Sequence, residues 1–140
     1  MQIDVAQEID IDEMVALDVL VSGSSRRRNL ITQTVKQDQG YVAHQENQIV
    51  GFLLMHQRFF ELPFIELLLV HPSFRRQGIG TALMQHIETI SSPGKLFTST
   101  NLSNEPMQRL CERLGYIRSG IIEHLDENDP ELFYFKQLSH

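Results

Sequence analysis

The chain has one cysteine, Cys111, in 140 residues. A single thiol cannot close an internal disulfide and argues against a zinc site built on cysteine. It also lacks any apolar run approaching the roughly 20 residues that a membrane span requires. Its first ten residues, MQIDVAQEID, have no basic-then-apolar signal pattern, so a cytoplasmic address is the expectation. Net positive charge is missing as well. At -6, the chain is not expected to attract nucleic acid or an anionic membrane broadly. Internal repeats, low-complexity tracts and linker-like stretches are absent too. The length therefore predicts one domain, spanning residues 1–140 and large enough to bury a core.

What is present reads as alternating strands and helices. Met1 to Ala6 alternates like an edge strand. Ile11, Met14, Val15, Asp18 and Val19 recur at helical spacing, as do Leu30, Ile31, Thr34 and Val35 after a cap signal at Ser24-Ser25. Tyr41–Gln45 and Gln48–Gln57 flank the polar turn Glu46-Asn47 and predict a hairpin. Phe64 to Val70 is almost wholly apolar, which predicts a central strand covered on both faces. A helix is expected over Thr81–Ile90, a strand over Lys95–Thr100, and a helix over Asn104–Leu114 stopped by Gly115. Tyr116–Leu125 and Leu132–Leu138 close the chain as strands. The fold class is α/β with a mixed sheet, and the apolar last strand offers itself for pairing across a homodimer.

Between the apolar strand and the next helix lies LLLVHPSFRRQGIGTALMQHIE, Leu67 to Glu88. An ordinary turn needs one glycine and some polar residues, whereas this one adds Arg75, Arg76 and a Gly78-x-Gly80 spacing. Helix N-termini carry backbone N–H groups without internal partners, and the helix dipole adds positive charge. Glycines let that backbone approach a bulky anion. Gln77, Gly78, Ile79, Gly80 and Thr81 can converge N–H groups on phosphate oxygens, with Arg75 and Arg76 adding charge-assisted contacts. A plain connection with solvated arginines is the competing reading. The spacing is not a P-loop, because Thr81-Ala82 stands where Lys-Ser/Thr would follow the second glycine. It is not the dinucleotide fingerprint either, because Leu83 occupies the third glycine's place.

LLVHPSFRRQGIGTALM resembles the cofactor-binding signature of the GNAT superfamily of acyl-CoA N-acyltransferases, Arg/Gln-x-x-Gly-x-Gly/Ala after a strand ending Val-x-Pro. Arg75, Gly78 and Gly80 fill the pattern, and Val70 and Pro72 fill the strand exit. NEPMQRLCERLGYIRSG, Asn104 to Gly120, is similar to that family's asparagine-headed helix ending in Leu-Gly-Phe/Tyr. Ile49-Val50-Gly51-Phe52 matches its usual hairpin step. The resemblance implies a mostly antiparallel sheet flanked by helices, with a splayed strand pair forming an acyl-CoA cleft. It implies that acetyl-CoA lies along Leu68, Leu69 and Val70, with its diphosphate on Arg76 to Thr81, while Asn104 at the helix start either bonds the pantetheine amide or simply caps the helix. It further implies an N–H near Val70 that polarises the thioester carbonyl.

Direct transfer to an amine needs a base, an oxyanion donor and a proton for the thiolate. Glu66 is the candidate base, since a carboxylate in a buried strand is either satisfied or functional and burial would raise its pKa. A structural carboxylate is the alternative. For the acid, the family's tyrosine position holds Cys111, which is either the proton donor or a small packing residue. Arg26-Arg27-Arg28 reads as a solvated face or as a grip on an anionic group, and the acids of Glu123–Phe135 as solvated loop or amine attractor. The function expected is acetyl transfer from acetyl-CoA to a primary amine of a small molecule or peptide, without a metal. Two other readings stay open: an acyl-CoA sensor without turnover, and an enzyme acting on a protein N-terminus or charged tRNA.

Overall fold

The structure, a computed structural model, describes Met1–Ser139. Its seven strands form one sheet in the order β1-β2-β3-β4-β5-β7-β6. They are β1 (Gln2–Val5), β2 (Gly40–Gln45), β3 (Gln48–Phe59), β4 (Leu62–Val70), β5 (Gly94–Asn101), β6 (Ile117–Ile122) and β7 (Glu131–Leu138). The helices are α1 (Ile11–Ser22), α2 (Arg28–Lys36), α3 (Ile79–Ile90) and α4 (Glu105–Arg113). Every neighbouring pair is antiparallel except β4 and β5, which run parallel.

Each face of the sheet has its own core. Met14, Val15 and Leu17 of α1 and Ile31 and Val35 of α2 bury Val42, Phe52 and Leu54 on one side. Leu83, Met84 and Ile87 of α3 and Leu110 and Cys111 of α4 cover Leu53, Ile65, Leu96 and Tyr134 on the other. This follows from the pleat, which sends successive β3 residues to opposite faces. Gly51 lets the two layers meet at the strand exit: a Cβ there would lie 2.9 Å from both Ile79 Cγ2 and the Leu69 carbonyl oxygen. The tight turns Glu46-Asn47 and Phe60-Glu61 all take positive φ, the geometry of two-residue hairpins.

Three expectations change. β4 is not covered on both faces, because Glu66 is exposed and Leu67 and Leu68 are half-buried. β7 cannot pair across a dimer, since β5 and β6 occupy both its edges and the sheet's outer strands are β1 and β6. The arginine run is not simply solvated. Arg27 makes a two-pronged ion pair with Asp18, Nη2 to Oδ1 at 2.8 Å and Nε to Oδ2 at 3.2 Å, and Arg28 reaches Asp12 at 3.1 Å.

Candidate active site

The site begins where the parallel pair ends. β4 and β5 are paired only at Phe64–Phe97 and Ile65–Thr98, and Thr98 Oγ1 donates to the Ile65 carbonyl at 2.9 Å as a last stitch. Beyond it β5 follows β7 and β4 follows β3, so the β5-facing edge of β4 from Glu66 to Val70 has no strand partner. An open strand edge pairs readily with an extended, amide-bearing ligand. Two cavities, about 260 and about 730 Å³, share Leu68, Leu69, Asn104 and Met107 as common wall and so form one cleft.

The larger cavity brings together most of the residues expected to hold the cofactor. It is lined by Leu68, Leu69 and Val70 of β4, by Arg75 and Arg76 of the connection, and by Gly78, Ile79, Gly80 and Thr81 at the head of α3. Asn104 lies at the wall shared with the smaller cavity, where its Oδ1 also accepts from the Met107 N–H at 3.2 Å and so caps α4. Gln77 is the exception: it is exposed, and its Oε1 accepts from Gln45 Nε2 at 3.4 Å outside the groove.

The connection owes its shape to two left-handed residues, Arg76 at φ 64° and Gly78 at φ 78°. A Cβ on Gly78 would meet nothing within 4 Å, so glycine is needed there for its dihedral rather than for space. Gly80 is the reverse case, since a Cβ would come within 3.3 Å of Leu110 Cδ2 and 3.6 Å of Leu68 Cδ2. Glycine at that point lets the first turn of α3 sit against α4 and β4. The first intrahelical bond runs from the Ala82 N–H to the Gly78 carbonyl. The N–H groups of Ile79, Gly80 and Thr81 therefore lack helical acceptors and suit an anion. Sequence reasoning missed Arg109 and Arg113, which bring α4 into the same groove. Their spacing of four residues puts both on one helix face. That was readable, but which face of α4 meets the groove was not.

The smaller cavity lies in the splay. Leu67 pairs with Leu54 and Ile65 with Met55, which leaves Glu66 as the extra residue of a β-bulge. The bulge explains why Ile65 packs against the α3 and α4 layer while Leu67 packs against the α1 and α2 layer, although they are two residues apart. It also places Glu66 among the residues lining the cavity, with Ser99, Asn101 and Glu131. Glu131 Oε2 accepts from Ser99 Oγ at 2.7 Å, so its position is fixed. Glu66 is exposed, which overturns the premise that it is a buried carboxylate. Its charge reaches His56: burial pushes that imidazole's pKa down, and Glu66 opposes the shift while Arg58 adds to it. The loop acids are not all loose either. Asp126 accepts from Asn101 Nδ2 at 2.9 Å, and Asp129 from Ser103 N–H and Oγ at 3.0 and 2.6 Å.

Cys111 is a correction. Its side chain is fully buried in the α3 and α4 core and lines neither cavity, so it is not a catalytic group. Burial pushes the thiol up to about 12, with Glu112 adding to the rise. The thiol is thus neutral at physiological pH, and ionising it would put an unpaired charge in the core. Tyr116 is structural in the same way: burial and then Glu88 raise it, and its hydroxyl donates to Glu88 Oε2 at 2.9 Å. Among the described residues, neither a cysteine nor a tyrosine lines the cleft.

The raised Cys111 pKa gives a sign-defined pH effect. Above pH 9 the unfolded chain loses the thiol proton that the folded chain keeps, so stability falls with rising pH up to about 12. The limiting slope is about 1.4 kcal/mol per pH unit. Thermal unfolding of the parent and of Cys111→Ala over pH 8–11 checks this: the parent's midpoint is expected to fall more steeply. Parallel curves would show that the buried thiol does not titrate with unfolding.

Comparisons with known proteins agree with this geometry. The model of the acetyltransferase (GNAT) family matches residues 8–116. A GNAT-family acetyltransferase from Bacillus cereus ATCC 10987 is 36% identical, with 99% of this chain and 98% of that one covered and a TM-score of 0.94. At 13% identity, 100% and 95% coverage and TM-score 0.82, a Salmonella typhimurium protein solved with its cofactor acetyl-CoA shares the fold. So does an aminoglycoside 6'-N-acetyltransferase complexed with coenzyme A, at 15% identity, 100% and 98% coverage and TM-score 0.83. Among curated proteins, none matches. With the family model spanning most of the chain and a close relative aligned end to end, the protein belongs to the GNAT acetyltransferase family.

Proposed function

We propose that this chain transfers an acetyl group from acetyl-CoA to a primary amine of a small molecule or peptide by direct attack. The observation that carries this reading is the unpaired β4 edge, with an arginine- and glycine-lined groove at one end and the Glu66 and Glu131 carboxylates at the other. The groove fits the co-substrate. Arg75, Arg76, Arg109 and Arg113 offer charge to phosphates, the first turn of α3 offers N–H groups, and the β4 edge offers backbone partners to pantetheine amides.

Acetyl-CoA supplies the activated thioester, and the residues supply the rest. An N–H of the β4 edge near Val70 donates to the carbonyl oxygen as negative charge builds there. Glu66, exposed at the bulge, takes the proton of the attacking amine directly or through one water. The new N–C bond forms as the C–S bond breaks, and the thiolate takes its proton from solvent, since the cleft holds neither a cysteine nor a tyrosine among the described residues.

Incubating the protein with acetyl-CoA and a panel of primary amines tests this, read by free-thiol release and a 42-dalton mass gain on the amine (about the mass of one acetyl group in place of hydrogen). Thiol release matched by acetylated product supports the reading. Tight acetyl-CoA binding with no product from any amine would instead favour an acyl-CoA sensor.

A further inference from the structure

The small cavity carries one cation that the transfer chemistry does not use, Arg27. Its partner Asp18 is only 1% exposed, on the inward face of α1. A buried carboxylate needs a reason, and holding Arg27 is the one the structure gives. Asp18 takes one N–H from Nε and one from Nη2, at 3.2 and 2.8 Å. A guanidinium carries five N–H donors, so three remain on a fork that is fixed in direction. Arg27 is the cap residue of α2, and its side chain is 22% exposed. It reaches the cavity from the helix side, while Glu66, Ser99 and Glu131 approach from the sheet.

The cavity is therefore dipolar. Two carboxylates on the strands suit an ammonium group, and an oriented guanidinium across from them suits a carboxylate. At about 260 Å³ the space is small, equal to roughly nine water molecules at about 30 Å³ each. We propose that Arg27, oriented by Asp18, selects acceptors that carry a carboxylate as well as the reacting amine, in a molecule of amino-acid size. Because Asp18 already neutralises Arg27, selection rests on paired hydrogen bonds to the fork's free edge more than on net charge. The proposal rests on the acetyl-transfer reading for its place in the reaction, and its test separates the two.

The probes are the common L-amino acids, β-alanine and 4-aminobutyrate, each against its carboxamide. In the protein–CoA complex, the Arg27 Nε–H resonance is followed as each probe is added, which requires no turnover. At least one acid should shift it and bind about tenfold or more tighter than its amide. With acetyl-CoA, kcat/KM should show the same preference. Arg27→Lys, which keeps the charge near Asp18 but loses the planar fork, should lower that preference to near unity while acetyl-CoA affinity stays at the parent value. Arg27→Gln with Asp18→Asn removes both charges, avoids leaving Asp18 unpaired, and should lose the preference in the same way. Acids and amides binding alike in the parent, or a preference that survives both variants, would overturn the proposal. An acid preference in binding with no acetylated product would leave it standing and overturn the transfer reading instead.

Discussion

Glu66→Gln is expected to lower kcat by about 100-fold or more, the usual range for losing a general base, while acetyl-CoA binds as in the parent. The separation follows from position. Glu66 lines the small cavity and is not among the residues of the cofactor groove. Glutamine keeps the size and leaves the bulge intact, so fold and groove should persist. The residue is exposed and needs no desolvated environment to survive the change. Steady-state rates over pH 6–10 decide the matter. The variant's rate should stay well below the parent's near neutral pH and approach it only as the amine itself deprotonates and no longer needs the base. An unchanged rate and pH profile would remove Glu66 from the mechanism and turn attention to Glu131 and water.

Gly80→Trp is expected to weaken acetyl-CoA binding by more than about 100-fold, or about 2.7 kcal/mol. A single Cβ at that point already comes within 3.3 Å of Leu110 Cδ2. An indole has no room inward and must turn into the groove, across the N–H groups of the first turn of α3. Thermal unfolding guards the conclusion, since pressure on Leu110 and Leu68 also costs stability. A folded variant that binds acetyl-CoA as tightly as the parent would show that the diphosphate lies elsewhere.

The parts of the site that are local in sequence were legible in it. The proposed cradle is one turn, and its positive φ, close approach and nearby cations appear as Gly78, Gly80, Arg75 and Arg76. The Glu46-Asn47 hairpin and the start of α4 at Asn104 were legible for the same reason, being decided within a few residues, whereas α2 begins at Arg28 without the cap expected at Ser24-Ser25 and α3 begins at Ile79, ahead of Thr81. What failed depended on distant partners. The apolar run Phe64–Val70 predicts a fully covered strand, and only the early end of pairing with β5 and the bulge at Glu66 expose it. Cys111 sits where the family pattern has a tyrosine, yet the burial of α4 turns that position into the core. Arg27 looked like one of three surface cations, because its partner is nine residues away on another helix. Gln77 was expected to offer only its backbone N–H, and the contact of its side chain with Gln45 could not be read from the motif.

The central claim is that the open β4 edge and the cradle at the head of α3 hold acetyl-CoA. Calorimetric titration of the purified protein with acetyl-CoA, with CoA and ATP as comparisons, tests it most directly. Binding of acetyl-CoA at micromolar concentration, approached by CoA and not by ATP, is the predicted result, because pantetheine alone can use the strand edge. No binding of acetyl-CoA, or equal binding of ATP, would contradict the account and reduce the cradle to an ordinary connection between a strand and a helix.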